Sequence, residues 1–77
     1  MSALPESDEL EALEIRLLLE AIFCQYGFDF RDYAYASMRR RIWNQIHAEG
    51  LESIAQFQGK VLHETACMER FLLTVTV

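Results

Sequence analysis

Four arginines are the residues of this chain best equipped for recognition: Arg31, and the run Arg39, Arg40 and Arg41. A guanidinium is a planar fork of donors that suits carboxylates better than a lysine ammonium does. Six of the seven basic residues here are arginine, so the preference runs through the chain. Two readings of the cluster compete. It is either a solvated face paired with Asp29, Asp32 and Glu49, or a surface that recognises carboxylates on a partner. Other candidates for chemistry are thinner. His47, His63, Cys24 and Cys67 are scattered singly, without the short spacing that gathers metal ligands. Nothing in the sequence marks either cysteine as an activated thiol. Gly27, Gly50 and Gly59 stand apart and form no phosphate-cradling loop. Glu6, Asp8, Glu9, Glu11 and Glu14 crowd the start of the chain, where nothing would desolvate one of them into a general acid. The sequence contains no legible catalytic centre.

The net charge of −5 is an average over two unlike parts. Residues 1–14 carry five carboxylates and no basic residue, whereas beyond them seven basic and seven acidic residues cancel. A local basic patch on an acidic protein suits an acidic protein partner, because nucleic acid demands a broader basic footprint. A helix-turn-helix reading, with Arg39, Arg40 and Arg41 on a recognition helix, meets the same objection and the scarcity of lysine. Apolar residues make up 52% of the chain, enough for one hydrophobic core in 77 residues. One proline and three glycines are too few for the turns of an all-β sandwich. No apolar run has the length of a membrane span, and no secretory leader is legible. The expectation is a cytoplasmic protein with two free thiols, binding no nucleic acid and entering no membrane.

Periodicity predicts an all-α domain, a compact bundle of about four helices. The first should run over 9–26, with Asp8 as N-cap, Glu11 three residues on, and Gly27 as its stop. It carries two apolar stripes: Leu10, Leu13, Leu17, Ala21 and Cys24 on one side, and Ile15, Leu19, Ile22 and Tyr26 on the other, with Leu18 between them. One stripe is spare unless something outside the bundle covers it. The second helix should start within 30–34 and end at Glu49, with Gly50 as stop. It should bury Tyr35, Met38, Ile42 and Ile46 and point Ser37, Arg40, Asn44 and His47 outward. Arg39 and Arg41 then flank the buried stripe, so the three arginines fan across about 200° and cannot serve one flat surface. The third helix opens on a Ser53/Gln56 capping box and buries Ile54, Phe57, Val61 and Leu62. Gly59 inside it costs about 1 kcal/mol of helix propensity. The fourth, capped by Thr65, presents Met68, Phe71 and Leu72. The ending Thr74-Val75-Thr76-Val77 reads as extended, and as a chain cut short.

The order of these pieces resembles the N-terminal helical domain of the chemoreceptor glutamate methyltransferases, the CheR type. That family reads G-x-D-F-x-x-Y and then S-L/M-x-R-R-I; here stand Gly27-Phe28-Asp29-Phe30-Arg31-Asp32-Tyr33 and Ser37-Met38-Arg39-Arg40-Arg41-Ile42. The resemblance implies a lead-in over 1–8, the helical domain over 9–73, and over 74–77 the start of a linker to a missing Rossmann-like α/β catalytic domain. It implies a parent enzyme that moves a methyl group from S-adenosylmethionine to receptor glutamates, while this segment is non-catalytic. Arg39, Arg40 and Arg41 become the receptor-facing candidates, Arg40 and Arg41 the better placed, with Arg31 weaker. Thr74 and Thr76 fall beside the cofactor, which the missing domain mainly binds. Its partners would be chemoreceptor helices and the protein's own catalytic domain. The chain departs from the family's second basic pair, where Asn44 and Gln45 stand, and so is expected to halve the positive surface. The rival reading is a stand-alone interaction module, binding a partner through the spare stripe of its first helix or pairing with itself through Ile15, Leu19 and Ile22.

Overall fold

The computed structural model describes residues 7–75, which form four helices and, among the described residues, no strand. They are α1 (Ser7–Tyr26), α2 (Tyr35–Ala48), α3 (Ile54–His63) and α4 (Thr65–Val75). α1 lies chiefly on α3, α3 on α4, and α4 on α2, so the chain closes around one core. Phe57, Phe71, Leu18, Ile22, Met38, Ile42, Ile46 and Met68 fill that core with essentially no exposure. Burying each such side chain is worth about 1.5–3 kcal/mol relative to leaving it in water. Phe30, from the loop after α1, meets Phe71 edge-on, and Phe71 meets Phe57 in the same way. The Tyr26 hydroxyl donates to the Val61 carbonyl at 2.6 Å, fastening the end of α1 to α3.

Helix ends follow their local chemistry. Gly27 and Gly50 both adopt positive φ, 83° and 72°, the left-handed conformation that ends a helix at little cost only for glycine. After α2 the Gly50 N–H donates to His47 and the Leu51 N–H to Ile46, a Schellman closure. Ser53 accepts from the Gln56 N–H at 3.1 Å, as its spacing predicts. The Gln56 side chain reaches back to the N–H of Glu52, one residue earlier than a strict capping box.

Several expectations are corrected. α1 starts at Ser7, so Asp8 sits inside its first turn and not at the N-cap. Of the two stripes on α1, Ile15, Leu18, Leu19 and Ile22 are buried within the domain. A self-pairing surface built on Ile15, Leu19 and Ile22 is therefore ruled out. The spare stripe is the other one, with Leu10, Leu13 and Leu17 40–51% exposed. Tyr35, expected in the core, is the first residue of α2 and exposed, because the helix starts too late to fold it inward. Glu64 is the one non-helical residue between α3 and α4; its carbonyl accepts from Cys67 and Met68, and Thr65 is already helical. α4 runs on through Thr74 and Val75 although both are β-branched, and Thr76 and Val77 lie outside the described residues.

At Gly59 and Gly50 an added Cβ would meet nothing within 4 Å, so backbone conformation alone decides the effect. Gly59→Ala should stabilise the domain by about 0.5–1 kcal/mol, and Gly50→Ala should destabilise it by about 1 kcal/mol. Urea unfolding of both variants checks the opposite signs.

Candidate functional site

The three consecutive arginines of α2 meet three different fates, since each helical step turns about 100°. Arg39 leans toward α1, where its guanidinium pairs with the Glu11 carboxylate through both Nε and Nη2. Trp43, one turn on, donates its indole N–H to the same carboxylate at 3.0 Å. The Arg39 hydrogen bond, with the Trp43 donor behind it, holds the Glu11 carboxyl below the usual range against a partly offsetting desolvation. Arg41 leans the other way and donates from Nε to the Thr74 carbonyl at 3.0 Å. That carbonyl lies in the last turn of α4, where backbone acceptors lack helical partners and favour a cation. α4 has no basic residue of its own there, and Arg41 supplies one. Arg40 lies between the two. It is exposed and has no partner among the described residues. Asn44 and His47 are exposed on the same side of α2.

Arg31 is also held internally. Its Nε and Nη2 reach the two oxygens of Asp29 at 2.8 and 2.9 Å, and Nη1 reaches Glu20 at 3.1 Å. The guanidinium lies 4.1 Å over the Phe23 ring. These contacts raise its pKa and hold the Asp29 carboxyl down at about 2, the Arg31 side-chain hydrogen bond being the main cause. At Thr74 both polar groups are occupied: Oγ1 donates to the Phe71 carbonyl at 2.7 Å, and the carbonyl accepts from Arg41. Thr76, its expected companion, falls outside the described residues.

A second charged assembly joins α2, α3 and α4. The Glu49 carboxylate, with only 5% of its side chain exposed, takes two hydrogen bonds from Arg70 at 2.6 and 2.8 Å. Lys60 approaches it at 3.0 Å and the Gln45 amide at 2.6 Å. The Arg70 contact first, then Lys60 and Gln45, hold the Glu49 carboxyl down at about 2. This overturns two expectations. Glu49 is not a partner of the α2 arginine run, and Gln45 is not a surface amide replacing a basic residue but the buried polar side chain that steadies Glu49. Only Asn44 remains on the surface at that point. Sequence spacing missed Glu11 as the partner of Arg39 and Trp43, 28 and 32 residues away, because it stood only as a first-turn acid. Asp32 makes no ion pair among the described residues.

Cys67 is buried, which raises its thiol pKa and keeps it protonated; Cys24 is exposed, and both are free. Among the described residues no three of His, Cys, Asp and Glu converge as metal ligands would, and no helix is long and apolar enough to cross a membrane.

Comparison with known proteins gives two matches. Residues 13–76 match the family described as CheR methyltransferase, all-alpha domain. A Pseudomonas putida protein named "Putative methyltransferase Cher3" is 37% identical over 65 residues, 84% of this chain and 24% of that protein. The chain thus spans about a quarter of that relative's length. No solved structure matches.

The Glu49 assembly sets an acid limit on stability. Its folded-state pKa of about 2 lies below the ordinary 4.5, so the unfolded chain binds the proton first as pH falls. The contribution is complete above about pH 5 and disappears towards pH 2. Glu49→Gln should cost about 1–3 kcal/mol at pH 7 and lose less stability than the parent chain between those pH values. Denaturant titrations across that range would refute the assignment if the two slopes were equal.

Proposed function

The chain belongs to the CheR methyltransferase all-alpha domain family, and from that membership we propose that it is the receptor-docking domain of an S-adenosylmethionine-dependent protein-glutamate O-methyltransferase. In this reading the parent protein works in the cytoplasm and methylates glutamates on chemoreceptor helices in chemotaxis. The helical domain, over about 9–73, does no chemistry itself. The catalytic domain follows it, with 74–77 starting the link. S-adenosylmethionine supplies the methyl group and is held by that domain. Thr74 and Thr76 border the cofactor; with its hydroxyl and carbonyl engaged inside the helical domain, Thr74 adds proximity and not a binding group.

The observation that carries the docking role is the Arg40 guanidinium on the exposed face of α2, which has no partner among the described residues. A receptor helix rich in glutamate presents carboxylates, and a cation on a rigid helix can steer and orient them. Arg39, half-exposed beside it, adds to the field while remaining tied to Glu11. Arg41 and Arg31 act at one remove: Arg41 fixes the end of α4 and Arg31 the turn before α2. Exposed pairs of this kind contribute only about 0–1 kcal/mol each, so docking is weak, salt-sensitive and concerned with register.

A second reading rests on the exposed Leu10, Leu13 and Leu17, which suit a stand-alone interaction module. Sedimentation of the chain separates them. A monomer favours the docking domain, and a tight dimer broken by Leu17→Glu favours the module.

In the complete protein, Arg40→Glu exchanges a weak attraction for a repulsion of similar size. It should lower kcat/KM for receptor methylation about tenfold at low salt, with cofactor affinity nearly unchanged. Receptor methylation kinetics paired with cofactor titration check this, and unchanged methylation would remove the docking role.

A further inference from the structure

Leu10, Leu13 and Leu17 share one face of α1 over two helical turns and are 47%, 40% and 51% exposed. Cys24, also exposed, continues the same stripe two turns further on. Exposed leucines scattered singly mean little, but a contiguous row rimmed by polar groups marks a contact surface. The rim decides what kind of contact. At about 100° per residue, Glu14 flanks the leucines on one side, and Glu9, Arg16 and Glu20 on the other. Glu20 is bound by Arg31, which Asp29 holds as well. Four carboxylates thus stand against two guanidiniums, and Glu9 and Glu14 make no ion pair among the described residues. Asp8 and Glu11 lie toward Arg39 and together outweigh it, so that side supplies no spare positive charge. The amides of the first turn offset about half a charge at that end, and the rim stays acidic. Such a rim repels a second copy of itself and the anionic surface of a membrane. It suits an amphipathic helix whose apolar row is bordered by lysine or arginine. The chain leaves the domain from α4, which packs on α2 and α3, whereas the leucines lie on the side of α1 turned away from α3. That geometry favours a separate protein over the polypeptide that follows α4.

We propose that the leucine face of α1 docks a basic amphipathic helix of a separate protein. The aliphatic row of that helix lies on Leu10, Leu13 and Leu17, and its cations meet Glu9 and Glu14. This surface carries the opposite charge to Arg40 on α2 and does not rest on the receptor-docking reading. It names the partner of the leucine face whether the chain acts alone or within a longer protein. Three leucines make a small contact, so binding is weak and reversible.

The probe is a synthetic helical peptide of about 18 residues, with leucines at i, i+3, i+4 and i+7 and lysines on both flanks. One control carries glutamate in place of lysine; another scrambles the order, keeping the composition and breaking the stripe. NMR of the Leu10, Leu13 and Leu17 methyls follows binding, and slower alkylation of the exposed Cys24 thiol reports how far the peptide covers α1. The expected result is saturable shifts at the three leucines with the lysine peptide, and binding at least about tenfold weaker with either control at low salt. Glu9→Gln combined with Glu14→Gln should weaken the lysine peptide about fivefold. Leu13→Gln combined with Leu17→Gln should abolish saturable binding, and both double variants should keep the thermal unfolding midpoint of the parent chain. Equal binding of the scrambled peptide would reduce the contact to bulk charge and overturn the site. Equal binding of the glutamate peptide would overturn the basic character of the partner. Dimerisation through these leucines, or their adsorption to vesicles of anionic phospholipid, would overturn the choice of occupant. So would a complete protein in which Cys24 resists alkylation and the peptide finds no site. Arg40→Glu lies on α2 and should leave peptide binding intact, so failure of this face and failure of the α2 docking surface are separately visible.

Discussion

The Glu49 carboxylate is almost out of contact with water, and a charge so placed is tolerated only where donors surround it. Arg70 from α4, Lys60 from α3 and Gln45 from α2 do so. The closing Gly50 lies immediately after Glu49, so the same few residues end α2 and fix where α3 and α4 sit against it. Hydrophobic burial gives the domain most of its stability but has no direction. The Glu49 assembly is directional, because a bidentate guanidinium accepts one geometry. Removing one partner would leave the others with uncompensated polarity, so the assembly acts as a unit.

The same logic governs the rest of the charge. Glu11 captures Arg39, Asp29 and Glu20 together capture Arg31, and the Thr74 carbonyl captures Arg41, at three separate joints of the fold. Arg39 and Trp43 join α2 to α1; Arg41 joins α2 to the end of α4; Arg31 holds the turn between the first two helices. Two arginines have no partner among the described residues, Arg40 on α2 and Arg16 on α1. The basic surface is therefore much smaller than a count of arginines suggests, and its remaining charges occupy two defined places.

The local grammar of the fold was readable in the sequence. Gly27 and Gly50 stop their helices at positive φ, Ser53 and Gln56 open α3, and Met38, Ile42 and Ile46 face the core at the spacing periodicity requires. The arginine fan followed from helical geometry, though its consequences did not. Periodicity reports that α1 has two apolar stripes but not which one the other helices will cover, since both satisfy the same spacing. Thr74 and Val75 read as extended by propensity, yet α4 keeps them helical where Arg41 engages its last turn. Pairings such as Glu11 with Arg39 or Glu49 with Arg70 join residues 28 and 21 positions apart, a distance at which spacing carries no signal.

One spectrum tests the division of the arginines most directly: the side-chain Nε–H signals of all six at neutral pH, with their exchange against solvent. The structure engages the Nε–H of Arg31, Arg39, Arg41 and Arg70, so four protected signals are predicted. Arg16 and Arg40 should exchange fast enough to be broadened away. A protected Arg40, or an Arg41 exchanging as freely as a solvated side chain, would contradict the account.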